Sequence, residues 1–257
     1  MIQEGLFYEM IFKRKSFHTF KNTGEETISP EELAAIEDAF LACKPLVDDI
    51  KTAIKIVPAD ETTCNRGQEY CILLYSEKKG NYRQNIGYIG EQLDLYLVSR
   101  NIGTLWFGIG KIEDSVYNGL DFVIMIAIKK VPAEKFRKDM YKSKRKALAD
   151  VWDGEFCQNI GNVARFTPSS CNTQPWKVKS VEGKLEVFRY KAAGKRGIMP
   201  VNKVTFYNQI DMGIFLLFLD LCLEQEKFTF TRTLYDDFDE NNDTELTLAA
   251  VYDFDNI

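Results

Sequence analysis

The chain is poor in the residues that build metal centres and charge-driven nucleic-acid interfaces. It has one histidine among 257 residues, which excludes a His-cluster metal site and disfavours a Ser-His-Asp hydrolase unless His18 serves it. Its six cysteines include no CxxC pair, so we expect reduced thiols rather than a zinc site or a disulfide framework. The net charge of −5 shows no basic excess, and we therefore expect no nucleic-acid partner.

Targeting and membrane-spanning signals are also scarce. Residues 1–10 contain two Glu and one Gln, without the apolar stretch of a signal peptide. The longest apolar runs, at 122–128 and 210–223, are too short or too interrupted to cross a bilayer. Together with the reduced thiols, this favours a cytoplasmic protein without a membrane partner.

The same order of predicted elements occurs twice, with no Gly/Ser-rich or Pro-rich linker between the copies. Ser29 is a predicted N-cap, and Glu32 completes a capping box with it. Residue patterns then predict two strands, a long central helix and two closing strands. In the first copy, helices are predicted at 30–43 and 89–100, and strands at 54–57, 70–75, 104–107 and 121–131. In the second copy, helices are predicted at 153–163 and 210–223, and strands at 176–181, 185–190, 228–234 and 244–254.

A shift of 123 residues brings the two copies into phase. It aligns Asn85 with Asn208, and it superposes both central helices and both closing strands. We therefore predict an internal duplication of an α+β unit, with repeats at 1–150 and 151–257. Each repeat has one almost wholly apolar helix, so we expect the repeats to pack on each other as an intramolecular pseudo-twofold dimer.

Residues 168–176 read Pro-Ser-Ser-Cys-Asn-Thr-Gln-Pro-Trp, a pattern that cannot build a core. The proline at each end restricts the backbone, which favours a rigid, extended loop rich in hydrogen-bond donors and acceptors. Such a loop suits a polar, flat ligand. A Ser/Asn turn that closes the preceding helix explains the pattern equally well.

A second polar run, Lys13-Arg14-Lys15-Ser16-Phe17-His18, lies near the start of the chain. Three cations, a hydroxyl and a histidine within six residues suit a phosphate or another anion. Taken alone, the run is more typical of a solvated basic face beside a helix end.

Together these runs resemble the signature motifs of the FMN-dependent nitroreductase family, which read Arg-Arg-Ser-x-Arg-x-Phe and Pro-Ser-Ser-x-Asn-x-Gln-Pro-Trp. The second motif matches at every specified position, whereas Lys15 and His18 replace residues of the first. Residues 103–110 resemble the family's Gly-rich strand along the flavin, and residues 142–148 resemble its closing Lys-x-Arg segment. The resemblance covers most of the chain, but the spacings between motifs do not fit one ordinary subunit.

Family members are homodimers with two FMN sites at the subunit interface, each built from both subunits. Here the first half carries the basic run and the Gly-rich strand, and its own counterpart of the Pro-Ser-Ser loop reads Pro-Leu-Val-Asp at 45–48. The second half carries the intact loop, and its counterpart of the basic run reads Arg-Lys-Asp at 137–139. The resemblance therefore implies the fused, single-chain branch of the family, with one composite FMN site in a monomeric chain.

The resemblance also implies roles for individual residues. Arg14, Lys15, Ser16 and Arg145 would hold the FMN phosphate, with His18 reaching it or the ribityl chain. The loop residues Pro168, Ser169, Ser170, Asn172 and Gln174 would line the isoalloxazine ring, and Gly108 or Ile109 would present a backbone N–H near flavin N5. No acid, base or metal ligand is required, because the flavin performs the chemistry. On this basis Arg14→Ala is expected to weaken FMN binding and leave the fold intact.

The implied activity is an NAD(P)H-dependent oxidoreductase that reduces nitroaromatics, quinones or similar planar acceptors in a ping-pong cycle. The incomplete basic run and the single surviving site also allow an FMN-binding protein without turnover, serving as a binding module or sensor. A structural relic that binds no flavin is the third possibility, and the intact Pro-Ser-Ser loop disfavours it.

Overall fold

The computed structural model describes residues 5–191, 197–239 and 244–255. The chain divides into two compact units. The first unit comprises Met1–Tyr82 and Ile89–Met140, and the second comprises Arg83–Tyr88 and Tyr141–Ile257. Residues 141–150, which the sequence grouped with the first repeat, thus belong to the second unit.

The first unit is built on an antiparallel sheet with long helices. Its helices are α1 (Leu6–Lys13), α2 (Pro30–Leu41) and most of α3 (Tyr82–Ser99); its strands are β1 (Thr52–Pro58), β2 (Tyr70–Ser76), β3 (Ile102–Phe107), β4 (Val116–Tyr117) and β5 (Leu120–Lys130). The strand order is β1-β2-β5-β3, and β4 pairs with β5. The central strands β2 and β5 hold the core, where Cys71, Ile72 and Ala127 are wholly buried.

The capping box predicted at Ser29 is confirmed. The Ser29 hydroxyl accepts a hydrogen bond from Glu32 N at 3.2 Å, and Ser29 N donates to Glu32 Oε2 at 3.1 Å. Pro30 occupies the first turn, where its missing N–H would have no intrahelical partner. Helix α2 accordingly begins at Pro30, as the sequence predicts.

The second unit repeats this order of strands. Its helices are α4 (Leu148–Val151), α5 (Gln158–Ala164) and α6 (Val204–Gln225); its strands are β6 (Trp152–Asp153), β7 (Trp176–Val181), β8 (Lys184–Tyr190), β9 (Phe230–Leu234) and β10 (Leu246–Phe254). The sheet order is β6-β7-β8-β10-β9, in which only β6 pairs in parallel. In both sheets a hairpin (β1-β2 or β7-β8) is followed by a long helix, and the last strand (β5 or β10) lies between the hairpin and the strand that follows the helix (β3 or β9).

Helix α3 begins at Tyr82, earlier than the position predicted from its apolar pattern. Its first turns carry the buried polar residues Arg83 and Gln84, which interrupt that pattern. Both residues belong to the second unit, as do their partners: Arg83 Nη1 donates to Gln209 Oε1 at 2.8 Å, and Gln84 Nε2 donates to Asp237 O at 2.6 Å. A Cβ on Gly213 would lie 1.8 Å from Gln84 O, so only glycine permits this close approach to α6.

Two further expectations need correction. The helix predicted at 153–163 begins only at Gln158, because Trp152 and Asp153 form the short strand β6. The apolar run predicted at 210–223 lies within a longer helix, and the window Val201–Gln225 is long and apolar enough to cross a membrane. Within this segment, 83% of an 18-residue apolar window is buried in the protein.

Candidate functional site

The basic run of the first unit is fixed along the edge of β3. Ser16 pairs with Thr104 as an isolated parallel bridge, and Phe17 N donates to Thr104 O at 2.9 Å. A Cβ on Gly103 would lie 2.9 Å from the Phe17 ring, so the glycine makes room for this contact. On the other side, Arg137 N donates to the Lys13 carbonyl at 3.0 Å. The run is therefore held on two sides by the backbone.

Arg14, which was expected to bind phosphate, is 5% exposed and pairs with two carboxylates of α3. Its Nη2 lies 2.8 Å from Asp94 Oδ2, and its Nε lies 3.1 Å from Glu91 Oε1. Asp94 also accepts hydrogen bonds from Thr104 Oγ1 at 2.6 Å and from Trp106 Nε1 at 3.0 Å. The Arg14 guanidinium thus anchors the basic run to the interior of the first unit.

The two carboxyls that contact Arg14, those of Glu91 and Asp94, differ in the contacts that offset the cost of their burial. Burial raises the pKa of Glu91 well above its ordinary value, and the charge of Arg14 offsets this only in part. Burial alone would lower the pKa of Arg14, but its interactions with Asp94 and Glu91 have the larger combined effect and raise that pKa. Asp94, with three side-chain donors, is therefore the main counter-ion of Arg14.

Other donors of the basic run remain available. Lys13 and His18 are exposed and Ser16 is half-buried, and none of these side chains hydrogen-bonds within the described residues. The Lys15 ammonium donates to Lys135 O at 3.1 Å. Arg137, expected in the counterpart of this run, belongs to the first unit; burial and the charge of Arg14 lower its pKa. The first unit thus gathers several cations beside Ser16.

The Gly-rich segment forms a turn directly after β3. Gly110 lies against Met125, whose Cε would be 2.5 Å from an added Cβ. Lys111 is tied to Thr63 by two bonds, Lys111 N to Thr63 Oγ1 at 2.8 Å and Thr63 N to Lys111 O at 3.1 Å. Between these anchors Gly108 is half-buried and Ile109 is 49% exposed. The turn therefore presents Ile109 outward on a fixed backbone.

In the second unit, the loop at 168–176 is not extended, which corrects the expectation from its two prolines. Ser170–Asn172 forms one turn of 3-10 helix, and Cys171, Asn172 and Gln174 have φ values of 49°, 57° and 50°. Left-handed backbone costs roughly 1–2 kcal/mol for each non-glycine residue. The prolines restrict only the loop ends, and a turn forms between them; it does not close the preceding helix, which ends at Ala164. Its strain must be offset by the contacts that hold it.

The segment at 144–146 holds one side of this loop. Arg145 Nη1 donates to Asn172 Oδ1 at 2.9 Å, and Lys146 N donates to Gln174 Oε1 at 2.8 Å. Arg145 Nε also donates to Thr167 O at 3.1 Å. These bonds explain why residues 141–150 belong to the second unit. They give Arg145 a role in fixing the loop, alongside the phosphate contact that the resemblance implies.

Helix α6 holds the loop from the interior. Ser170 N and Ser170 Oγ donate to Asp211 Oδ1 at 2.9 and 3.0 Å, and Thr173 Oγ1 donates to Asn208 Oδ1 at 3.0 Å. Asp211 is 2% exposed, and burial raises its pKa to about 7, although its bonds to Ser170 and Thr173 lower it. Sequence reasoning missed Asp211; its signal was an acid, one of two with Asp220, in the apolar stretch 210–223 of α6.

Comparisons with known proteins agree with the fold. The family model described as "Putative TM nitroreductase" matches residues 7–222. A Thermotoga maritima protein described as a putative nitroreductase aligns at 17% identity and a TM-score of 0.60, covering 99% of this chain and 95% of that one. At this identity the likeness shows the fold alone.

Two further solved structures align with about half of the chain. One, from Desulfovibrio desulfuricans and described as in complex with FMN, has 18% identity and a TM-score of 0.42 over 58% of this chain and 95% of that one. The other, from Clostridium novyi, has 17% identity and a TM-score of 0.39 over 50% of this chain and 88% of that one. No curated protein matches. Because the family model spans well over half of the sequence, the chain belongs to the nitroreductase family that this model describes.

Proposed function

We propose that this protein is an FMN-dependent oxidoreductase that takes hydride from NADH or NADPH and reduces nitroaromatics, quinones or similar planar acceptors. The observation that carries the proposal is the strained loop at 168–176. It is held from two sides, and the hydroxyls of Ser169 and Ser170 can still form hydrogen bonds with a ligand. When bound, FMN supplies the hydride and electron transfer, while the protein binds and orients it.

The loop chemistry fits the edge of a flavin ring. Ser169 Oγ accepts a bond from Gln174 N at 2.9 Å, so its own proton remains available as a donor. Ser170 Oγ donates to Asp211, so its lone pairs remain available as acceptors. A donor beside an acceptor matches a heterocycle on which N–H and C=O groups alternate. The amides of Asn172 and Gln174 are bonded locally and would chiefly maintain the loop shape.

The basic run fits the phosphate of the same cofactor. Lys13, Lys15, Ser16 and His18 would supply charge and hydrogen bonds, with Arg137 as a further cation. In this proposal Arg14 positions the run, and its own contact with phosphate is secondary because its guanidinium already has two carboxylate partners. The backbone N–H of Ile109 has no partner among the described residues and would serve the ring.

We further propose that each chain binds one FMN. Each half of the sequence lacks what the other half supplies. In the first unit, residues 45–51, which correspond to the start of the Pro-Ser-Ser loop, bury Leu46 and Ile50 and contain no Ser or Thr. The shared strand order of the two sheets supports an origin by duplication.

The test is to purify the chain, record its absorbance spectrum, and follow oxidation of NADH and NADPH with a quinone. We expect a yellow protein whose nicotinamide oxidation depends on the quinone. Flavin absorbance without oxidation would favour the FMN-binding module, and failure to bind added FMN would overturn the proposal. Ser169→Ala should weaken FMN binding, whereas Thr231→Ala, on the exposed face of β9, should leave it unchanged.

A further inference from the structure

Asp211 is a buried acid with no counter-ion among the residues that the structure describes. Its Oδ1 accepts both Ser170 bonds, while its Oδ2 lies 3.5 Å from Thr173 Oγ1. The other buried acid of this helix, Asp220, differs: Arg232 forms an ion pair with it, and the hydroxyls of Tyr88 and Tyr252 donate to it at 2.7 and 2.6 Å. Only Asp220 thus has the partners that a structural buried carboxylate requires.

The fold does not need a carboxylate at position 211. An asparagine could accept both Ser170 bonds through its single carbonyl oxygen, and its NH2 group could face Thr173 Oγ1. A buried carboxylate costs free energy that an amide avoids. A chain that retains the acid at this point therefore keeps a group that can gain or lose a proton directly behind Ser170.

The surroundings contain no competing charge among the described residues that pack on Asp211. Helix α5 has no charged residue within Gln158–Ala164. Arg83, on the turns of α3 in this unit, is directed to Gln209 and Phe238 O; Arg189, on β8, is paired with Asp237. The nearby Cys171 and Tyr207 interact with each other, and no charged group contributes to the raised pKa of Asp211.

We propose that Asp211 is a positioning residue whose protonation state sets the hydrogen-bond polarity of the Ser170 hydroxyl. When Asp211 is ionised, Ser170 Oγ–H donates to Oδ1 and offers only lone pairs to a ligand. When Oδ1 gains a proton, Asp211 O–H donates to Ser170 Oγ, and the Ser170 proton becomes available to a ligand. The change takes up one proton from solvent and breaks no other covalent bond.

This inference rests on the proposed function, because it takes the ligand of Ser170 to be the flavin ring. When Asp211 is protonated, the Ser170 hydroxyl would bind best to a ring atom that accepts a hydrogen bond. When Asp211 is ionised, the Ser170 hydroxyl would bind best to an N–H group of the ring. The affinity for FMN should therefore change across the titration of Asp211, by about fivefold for one reversed hydrogen bond.

The first experiment needs no flavin. In the full chain labelled at aspartate and at the serine amide, the Asp211 carboxyl 13C shift and the Ser170 amide shift should titrate together with a midpoint near neutral pH. Asp211→Asn should abolish both transitions, whereas Asp253→Asn, at an exposed position, should leave them intact. An Asp211 carboxyl that stays ionised down to pH 5 would overturn the proposal even if FMN binds.

The second experiment measures FMN affinity from pH 5.5 to 8.5. The wild type and Asp253→Asn should show the same change of about fivefold, whereas Asp211→Asn should show none. Ser170→Ala provides a second variant, which keeps Asp211 but should also lose the pH dependence. Unchanged pH dependence in either variant would refute the switch. Failure of the wild type to bind FMN would refute the proposed function instead, and the carboxyl titration would still decide the protonation claim.

Discussion

The two units place a buried carboxyl behind the segment that resembles a family motif, but they treat its charge differently. In the first unit, Asp94 on α3 pairs with the cation Arg14 and also accepts hydrogen bonds from two neutral donors, Thr104 and Trp106. In the second unit, Asp211 on α6 accepts hydrogen bonds from two neutral donors, the amide and the hydroxyl of Ser170. A buried aspartate on the long helix therefore forms an ion pair in one unit, whereas in the other it is a hydrogen-bond acceptor with a raised pKa.

The contrast follows from the cost of burying charge. A buried ion pair is costly to break, because removal of one partner leaves the other charged and desolvated. A buried acid without a cation instead raises its pKa until it is partly neutral at physiological pH. We expect substitutions in the first unit to act on stability, and substitutions behind Ser170 to act on pH dependence.

The largest expected effect is on Arg14. Arg14→Ala should lower the free energy of unfolding by roughly 3–5 kcal/mol, because it leaves the carboxylate of Asp94 buried without its cation. This differs from the expectation from sequence that the fold would stay intact. Urea denaturation measures the loss, and Lys78→Ala, which breaks the exposed pair with Asp121, should cost no more than about 1 kcal/mol. Equal losses in the two variants would contradict the role given to Arg14.

Next comes a comparison between neighbours on α3. Asp94→Asn should lower the free energy of unfolding by roughly 3 kcal/mol, because it removes the main counter-ion of Arg14. The new NH2 group would also face Arg14 or the other donors to Asp94, Thr104 and Trp106. Glu91→Gln should cost less than Asp94→Asn, because burial raises the pKa of Glu91 and so weakens the hold of its charge on Arg14, whereas glutamine avoids the cost of burying a charge. The two unfolding free energies at pH 7 decide the matter, and a larger loss for Glu91→Gln would reverse our assignment.

The third prediction concerns pH. Because the folded pKa of Asp211, about 7, exceeds its unfolded value of 3.8, its contribution to stability is fully present below pH 3.8 and is lost as pH rises to 7. The unfolding free energy of the wild type should fall relative to that of Asp211→Asn by on the order of 1.4 kcal/mol per pH unit in this window. Chemical denaturation from pH 4 to 8 measures the difference. Parallel curves for the two proteins would contradict the raised pKa.

The smallest effect is expected at the exposed end of the basic run. His18→Ala should weaken FMN binding by about 1 kcal/mol and leave riboflavin binding unchanged, because riboflavin lacks the phosphate. Lys179→Ala, an exposed cation on β7, is the matched control and should change neither affinity. Equal weakening for FMN and riboflavin would remove His18 from the phosphate site.

Several features were predictable because their causes are local in sequence. The capping box at Ser29 and the strand Trp176–Val181 follow from spacing and alternation, and the structure has both. The Pro-Ser-Ser motif and the basic run are also local in sequence, and they indicate the nitroreductase family. The α+β class follows from the alternation of helical and strand patterns.

The missed features depend on partners far apart in sequence. Arg14 and Asp94 are 80 residues apart, and Ser170 and Asp211 are 41 apart, so no local pattern reveals either contact. The early start of α3 was hidden because the polar Arg83 and Gln84 are buried there. The turn at 170–172 was missed because prolines restrict the loop ends but do not determine the backbone between them.

The most direct test of the account is the number of FMN molecules bound per chain. Flavin released by denaturation from the purified, FMN-saturated protein should equal one per 257-residue chain. Ser16→Ala and Ser169→Ala should each lower the affinity of that single site. Two FMN per chain, or a second population of flavin that neither variant affects, would contradict the proposal of one FMN per chain.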